Sequence, residues 1–350
     1  MGMAGMVKIV LNGKFLSQKI TGVQRYAREI LNCLDPLVAD LDIEIVMAED
    51  AKDIPNLKNI KKITLSGKAS VFWEQVKLPF YIKRQKAIGL HLCHVAPLLK
   101  PDIVCIHDTN VARNPQWFTK KIFLWYGLIH KVCAMRAKKI LTVSEFSKKE
   151  FQDIFKISDS RIENIGSGWQ HVQRISNDQK TLEQYDLKEK NFYFSLGTRA
   201  PHKNIHWIYE YAQKHPESTF AMSGSSYGRI FGRIKETIPE NVKCLGYLSD
   251  EEIKSLMQSC KAFVFPSFYE GFGLPPLEAL SSGAKVIVSD IPVMREIFGG
   301  TVLYINPNNT NVDLDLLIKE SVDPAITVLE KYSWQKGAKA LLEIIKNIQV

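Results

Sequence analysis

Short apolar runs that end in small or polar residues recur in both halves of the chain, and this pattern constrains its fold most. Each run has the length of a buried strand, and stretches with helical apolar spacing lie between many of them. Strands that alternate with helices predict parallel sheets covered by helices on their faces. The clearest ends of such runs are Ile106-His107-Asp108, Val143-Ser144-Glu145, Leu196-Gly197-Thr198, Phe265-Pro266-Ser267 and Val288-Ser289-Asp290.

The individual elements can be predicted from the same pattern. A first strand at Val7–Leu11 precedes a loop that contains Gly13 and Gly22, and an amphipathic helix follows from Val23 to Leu34. We predict further strands at Ile43–Met47, Asp102–Ile106, Lys139–Val143, Phe192–Leu196, Phe220–Met222, Lys261–Phe265 and Lys285–Val288.

The length and composition favour two domains. A chain of 350 residues with 45% hydrophobic content is longer than one core usually accommodates. The segment from about Gly166 to Lys190 has few apolar residues, so we place the boundary there. The predicted domains are residues 1–170 and 171–332, followed by a terminal helix at 333–350. No signal-peptide pattern or membrane-spanning run is found, which predicts a cytoplasmic protein.

The block from Phe268 to Leu280 carries the chemistry. Glu270 and Glu278 flank the turn Gly271-Phe272-Gly273-Leu274, and Pro275 and Pro276 suit a helix start. Glycines without a Cβ let the backbone approach a ligand, and backbone amides at a helix N-terminus attract anions. Ligands of parallel sheets bind beyond the carboxyl ends of strands, where this block lies. The combination predicts a site for a sugar attached to a diphosphate.

This block resembles the donor-site motif of retaining glycosyltransferase family 4, of the type found in bacterial surface-polysaccharide (O-antigen or capsule) biosynthesis. The resemblance implies the GT-B fold: two Rossmann-like parallel-sheet domains that face each other across a cleft, with a C-terminal helix that crosses back to the first domain. It also implies that Glu270 contacts the donor sugar, that Glu278 holds the ribose hydroxyls, and that the amides of residues 271–274 meet sugar and phosphate.

Three further positions resemble parts of the same family's site. In Gly197-Thr198-Arg199-Ala200-Pro201-His202-Lys203 the resemblance implies that Lys203 holds the donor diphosphate, with either Arg199 or His202 as the second phosphate contact. His107, at the end of a first-half strand, matches the histidine that points to the donor sugar. Gly22 matches the glycine loop that opens the first helix and approaches the phosphate or acceptor.

No metal or other cofactor is expected. Asp40-Leu41-Asp42 and Asp313-Leu314-Asp315 spell Asp-x-Asp, but neither follows a convincing buried strand, so we interpret both as solvated surface. The six cysteines form no Cys-x-x-Cys pair, which argues against a zinc site. The resemblance implies metal-independent chemistry in which Lys203 and backbone amides replace the cation.

The net charge of +9 is concentrated in the first half, which carries +10 while residues 171–350 carry −1. Basic residues between Lys52 and Lys86 and between Arg113 and Lys149 alternate with aromatic ones. This pattern suits an anionic membrane surface. It equally suits nucleic acid or a solvated face without a partner, and the two stretches together favour the membrane.

The sequence thus predicts a retaining hexosyltransferase that moves a hexose or deoxyhexose from a nucleotide-diphosphate sugar to a lipid-linked or oligosaccharide acceptor. The enzyme would work at the inner face of the plasma membrane and would not bind nucleic acid. Two alternatives are a nucleotide-dependent oxidoreductase or epimerase, and a non-catalytic basic protein that binds nucleic acid. Neither accounts for the paired glutamates. The base, the sugar, the linkage and the oligomeric state are not encoded in any motif.

Overall fold

The chain forms two compact units in a computed structural model that describes residues 7–197, 200–224 and 237–349. The first unit contains the residues up to Ala112, Phe123–Gly168 and the residues from Ser333 onward. The second contains Arg113–Ile122 and Trp169–Tyr332. The predicted 1–170 domain differs from the first unit in one segment: Arg113–Ile122 belongs to the second unit. There the Trp117 ring stacks on that of Phe268, with 6.2 Å between centroids.

The first unit is built on a sheet whose seven described strands are all parallel, in the order β3-β2-β1-β4-β5-β6-β7. Its order reverses between β1 and β4, so the loops after these two strands flank a crevice. The strands are β1 Ile9–Asn12, β2 Ile43–Ala48, β3 Lys61–Leu65, β4 Ile88–His91, β5 Ile103–Cys105, β6 Lys139–Thr142 and β7 Ile162–Asn164.

The second unit repeats this design with six described parallel strands in the order β10-β9-β8-β11-β12-β13. Here the order reverses between β8 and β11, which places the loops after those strands at the expected ligand crevice. The strands are β8 Tyr193–Leu196, β9 Phe220–Ser223, β10 Val242–Gly246, β11 Ala262–Phe265, β12 Val286–Ser289 and β13 Leu303–Ile305.

Helices connect the strands of both sheets. The described α-helices are α1 Gly22–Leu34, α2 Leu78–Arg84, α3 Asn110–Arg113, α4 Lys120–Arg136, α5 Glu145–Phe155, α6 Thr181–Gln184, α7 Ile205–Lys214, α8 Asp250–Ser259, α9 Leu274–Ser281, α10 Pro292–Phe298, α11 Leu314–Leu317, α12 Ile326–Leu329 and α13 Trp334–Gln349. A π-helix covers Trp73–Lys77, and 3₁₀ helices cover Gly13–Ser17, Asp35–Leu37, Pro115–Trp117, Asp159–Arg161, Gln170–Arg174 and Pro201–Lys203. Within these described parts, no helix is long and apolar enough to span a bilayer.

The terminal helix α13 packs against α1 in the first unit, as the GT-B resemblance implies. Tyr26 of α1 meets Trp334 edge to face, with 5.8 Å between ring centroids. A Cβ at Gly337 would lie 3.0 Å from Ile30 Cδ1 and from the Ile165 carbonyl oxygen. A side chain at this position would press on both neighbours, so the close packing favours a glycine.

The eight strands predicted from sequence are all present, and the described residues form five more strands. Four of the additional strands, β3, β7, β10 and β13, are the edges of the two sheets. An edge strand is buried less than a central one: β3 accordingly begins with two exposed lysines, and in β10 only Val242 is buried. The fifth, β4, is central but contains Gly89, whose lack of a side chain shortens its apolar run.

Candidate functional site

The turn after β11 has the backbone geometry that the glycine-rich block predicts. Gly273 has a φ of +100° and directly precedes α9, which begins at Leu274. A Cβ at Gly273 would be strained by this φ and would lie 2.9 Å from Met294 Cε, so the end of that buried side chain would have to shift. Pro275 and Pro276 have no N–H, so amides for an anion must come from residues up to Leu274.

Lys203 and Glu270 are brought together where the strand order of the second sheet reverses. Lys203 follows β8, Glu270 follows β11, and Lys203 Nζ lies 2.7 Å from Glu270 Oε1. The two side chains are only 19% and 11% exposed. Lys203 Nζ also lies 5.0 Å from the centroid of the Phe265 ring. The lysine predicted to hold phosphate and the glutamate predicted to contact sugar therefore form one partly buried ion pair.

Backbone contacts fix the position of this ion pair. Asn204 Nδ2 donates to the carbonyl oxygens of Pro266 at 2.9 Å and Pro307 at 2.8 Å. The Phe268 amide donates to the His202 carbonyl oxygen at 2.8 Å. Asn204 itself has a φ of +52°, a conformation that asparagine tolerates better than most residues. The loops after β8 and β11 are thus joined on both sides of Lys203.

Glu278 has a basic partner that the sequence did not reveal. His171, in the 3₁₀ helix Gln170–Arg174, places Nε2 2.9 Å from Glu278 Oε1. The His171 side chain is 4% exposed and that of Glu278 is 16% exposed. His171 lies in the polar segment that the sequence analysis treated only as a domain boundary. A histidine 107 residues before its partner leaves no local signal.

The remaining predicted positions have separate surroundings. Arg199 lies outside the described residues. His202, the other proposed phosphate contact, has its ring centroid 6.2 Å from that of Trp117. Phe272 is 5% exposed and packs edge to face on Tyr332, with 5.0 Å between centroids, so its side chain stabilises the turn.

His107 and Gly22 belong to the first unit. His107 follows β5, is 8% exposed, and donates from Nε2 to the Leu92 carbonyl oxygen at 2.9 Å. Burial lowers the pKa of His107 to about 3, so its imidazole is neutral, with Nδ1 as the acceptor nitrogen. Gly22 is exposed at the first position of α1, where Thr21 N–H donates to Gln24 Oε1 at 3.2 Å.

A cavity of about 380 Å³ lies beyond the carboxyl ends of β12 and β13. Phe268, Asp290 and Tyr304 contribute to its walls. The Arg295 guanidinium pairs with Asp290 at 2.7 Å and lies 3.6 Å from the Tyr304 ring centroid. Because these strands lie to one side of the β8–β11 reversal, we do not expect the donor nucleotide there.

The Asp-x-Asp segments are occupied by structural contacts. Asp42 pairs with Lys61 at 3.3 Å. Asp313 Oδ1 accepts from the Leu316 amide at the start of α11, and Asp315 pairs with Lys261. Across the described ranges, no three His, Cys, Asp or Glu side chains converge as a metal site would require.

Comparison with known proteins identifies the class of this chain. Residues 177–320 match the family described as glycosyl transferases group 1. The chain is a glycosyltransferase. The O-antigen chain mannosyltransferase RfbU of Salmonella typhimurium is 27% identical over 323 residues, which cover 86% of this chain and 87% of the relative. O-antigen chain mannosyltransferase B of Escherichia coli is 28% identical and covers 87% of this chain and 88% of the relative.

Solved structures show that this glycosyltransferase has the GT-B fold. Sucrose-phosphate synthase from Thermosynechococcus elongatus is similar with a TM-score of 0.72 at 15% identity, and the match covers 98% of this chain and 99% of that one. Anabaena HepE, solved in complex with UDP-glucose, gives a TM-score of 0.70 at 14% identity, covering 97% and 99%. The fold prediction is therefore confirmed.

Proposed function

We propose that this glycosyltransferase moves a hexose, mannose in the first instance, from a nucleotide-diphosphate sugar to a lipid-linked glycan in O-antigen assembly, with retention of configuration. The Lys203–Glu270 ion pair at the strand-order reversal carries this proposal. The mannosyltransferase names of RfbU and of O-antigen chain mannosyltransferase B support the choice of sugar and pathway. HepE, which was solved with UDP-glucose, supports the class of donor.

The chemistry requires a cation for the leaving group. When the bond between sugar and diphosphate breaks, negative charge grows on the diphosphate and the sugar becomes oxocarbenium-like. A cation 4 Å from a phosphate oxygen contributes about 4 kcal/mol at an effective dielectric constant near 20, before desolvation. The diphosphate carries more charge than one carboxylate and can therefore draw Lys203 away from Glu270. The released Glu270 carboxylate then accepts hydrogen bonds from the sugar.

The remaining roles follow from positioning. The neutral His107 can accept a hydrogen bond from a sugar hydroxyl through Nδ1, and Glu278 can hold the ribose. The acceptor hydroxyl attacks on the face that the diphosphate leaves, and its proton passes to the departing phosphate. Holding the reactants in this geometry removes much of the entropic barrier. We propose no metal in this step, since Lys203 and backbone amides supply the positive charge.

Purified protein tests this function directly. We expect one of UDP, GDP and ADP to raise the unfolding temperature, since a ligand that binds only the folded state stabilises it. The matching nucleotide hexoses should then support transfer to a lipid-linked glycan, and NMR of the product should show the donor's anomeric configuration. Lys203→Met and Glu270→Gln should remove transfer. Transfer by both variants at the wild-type rate would refute the proposal, as would a bound nicotinamide cofactor.

We also propose that the first unit rests on an anionic membrane. Phe72, Val76 and Phe80 are 61%, 49% and 71% exposed at four-residue intervals along one helical segment. Lys83 and Arg84 are exposed at the end of the same segment. Large apolar side chains next to cations suit the boundary between lipid headgroups and acyl chains. An enzyme with a lipid-linked acceptor would gain access to it there.

Vesicle sedimentation tests this membrane contact. Wild-type protein should bind phosphatidylcholine vesicles that contain phosphatidylglycerol, bind pure phosphatidylcholine less, and dissociate in about 1 M salt, where screening shortens to about 3 Å. Phe80→Ser should weaken binding. Leu316→Ser is the matched control, because Leu316 is 60% exposed but lies in the second unit. Equal binding to both vesicle types, or equal losses in both variants, would contradict the proposal.

A further inference from the structure

His171 and Glu278 form a partly buried hydrogen bond that fixes one oxygen of the Glu278 carboxylate. The imidazole is almost fully buried, and its distance of 2.9 Å to Glu278 Oε1 is that of a hydrogen bond to an ionised carboxylate. His171 can donate from Nε2 whether the ring is neutral or charged. Glu278 Oε2 has no partner among the residues that the structure describes. One carboxylate oxygen is therefore held by the protein while the other remains available.

The segment that carries His171 is itself firmly held. Trp169 Nε1 donates to the Leu329 carbonyl oxygen at 2.9 Å, and Gln170 Nε2 donates to that of Tyr332 at 3.1 Å. The Tyr332 ring in turn packs edge to face on Phe272 in the glycine-rich turn. His171 is thus attached to the same part of the unit that carries Glu270 and Glu278.

We infer that His171 is a positioning residue for donor binding, which orients the Glu278 carboxylate towards the two hydroxyls of the donor's ribose. This inference rests on the proposed function. A glutamate has three rotatable bonds, and ordering such a side chain when a ligand binds weakens affinity. With Oε1 fixed by His171, Oε2 and the remaining lone pair of Oε1 can accept from a cis-diol without that loss. Nothing in the local sequence around His171 indicates this role.

Two variants separate positioning from packing. His171→Gln retains an N–H donor on a flexible side chain, and His171→Leu removes the donor at similar size. His215→Ala is the matched control, because His215 contacts Glu217 at 3.2 Å in the same unit, but the two side chains are 32% and 68% exposed. His171→Asn, whose shorter amide does not reach Glu278, replaces the leucine variant if that variant fails to fold.

The measurement is calorimetric binding of whichever of UDP, GDP and ADP binds the wild type, and of its 2′,3′-dideoxy counterpart. We expect His171→Leu to weaken the ribonucleotide roughly tenfold, which is the order of one side-chain ordering cost, and to leave the dideoxy analogue unchanged. His171→Gln should recover most of the affinity, and His215→Ala should match the wild type. With the donor sugar as substrate, KM should rise while kcat changes little.

The outcomes separate the role of His171 from the proposed function. Wild-type protein that binds a ribonucleotide, together with a His171→Leu variant of equal affinity, would refute the role of His171 and leave the proposed function standing. Equal losses for the ribonucleotide and the dideoxy analogue would show a packing effect and also refute the inference. A wild type that binds no nucleotide would refute the donor site itself, and the inference with it.

Discussion

Substituting Lys203 or Glu270 should lower both the unfolding free energy and the transfer activity, and substituting both should restore part of the first but none of the second. Lys203→Met leaves the Glu270 carboxylate without its cation, and Glu270→Gln leaves the ammonium without its anion. Removing one member of a fully buried pair costs about 3–5 kcal/mol, whereas exposed pairs contribute about 0.2–1 kcal/mol. With side chains 19% and 11% exposed, this pair lies between these limits. We therefore expect each single substitution to cost about 2 kcal/mol of unfolding free energy.

The double variant should recover part of that loss, because it leaves neither charge unpaired. A coupling energy of about 1–2 kcal/mol is expected from a double-mutant cycle of urea unfolding followed by a probe in the second unit. Lys214 and Glu210 provide the matched control, since their N–O distance is also 2.7 Å but their side chains are 47% and 56% exposed. For that pair the coupling should stay below about 0.5 kcal/mol.

Transfer activity distinguishes the stabilising role of the pair from its catalytic one. All three variants should lose roughly 10²–10³-fold in kcat, the cost of removing one preorganised electrostatic contact, and the double variant should not recover. The control variants should transfer at the wild-type rate. A Lys203–Glu270 coupling no larger than that of the exposed pair would refute the electrostatic argument. Recovered transfer in the double variant would show that neither charge is needed for the chemistry.

Two further substitutions test the backbone of the donor turn and the buried histidines. Gly273→Ala should lower the unfolding free energy by about 2–4 kcal/mol, because its positive φ is strained and the Met294 side chain must shift. Gly283→Ala is the control: Gly283 has a φ of +86° but open surroundings, so its substitution should cost only the strain of about 1–2 kcal/mol. Equal losses in thermal unfolding would contradict the steric part of this prediction. Burial lowers the pKa of both His107 and His130 to about 3, so the unfolded chain binds protons below about pH 6.5 that the folded chain does not. The unfolding free energy should therefore fall from pH 6.5 towards pH 3, by up to about 1.4 kcal/mol per pH unit for each ring. In urea titrations at several pH values, His130→Leu should reduce this slope by about one proton. An unchanged slope would refute the role of His130.

The sequence predicts the sheets well where burial is complete. Central strands such as β8 and β11 are continuous apolar runs, because both faces of a parallel sheet are covered by helices. Edge strands were missed for the opposite reason. Lys61 and Lys62 begin β3 with exposed side chains, and pairing with β2 alone gives them their extended conformation. The conformation of such a strand is set by tertiary contact with the neighbouring strand rather than by its own sequence pattern.

The candidate site divides in a similar way. Gly273 and Glu270 were predicted because turn chemistry and strand ends leave a local pattern in the sequence. The contact between Lys203 and Glu270 spans 67 residues and depends on β8 and β11 being neighbours in the sheet. His171 was missed altogether, because it is a single histidine in a polar segment that reads as a linker, and its partner Glu278 is distant in the sequence.

Both glutamates of the donor block have a basic partner, and this resolves an electrostatic difficulty in the proposed site. Two carboxylates beside a diphosphate would repel it, since like charges a few ångströms apart interact unfavourably by about 4 kcal/mol at an effective dielectric constant near 20. Lys203 pairs with Glu270 before the donor binds and can then pair with the diphosphate that lies beside that carboxylate, while the N–H of His171 holds Glu278. The carboxylates can then serve as acceptors for sugar and ribose hydroxyls without excluding the anion between them. The basic residues are therefore as necessary to the proposed donor site as the acidic pair that reveals it in the sequence.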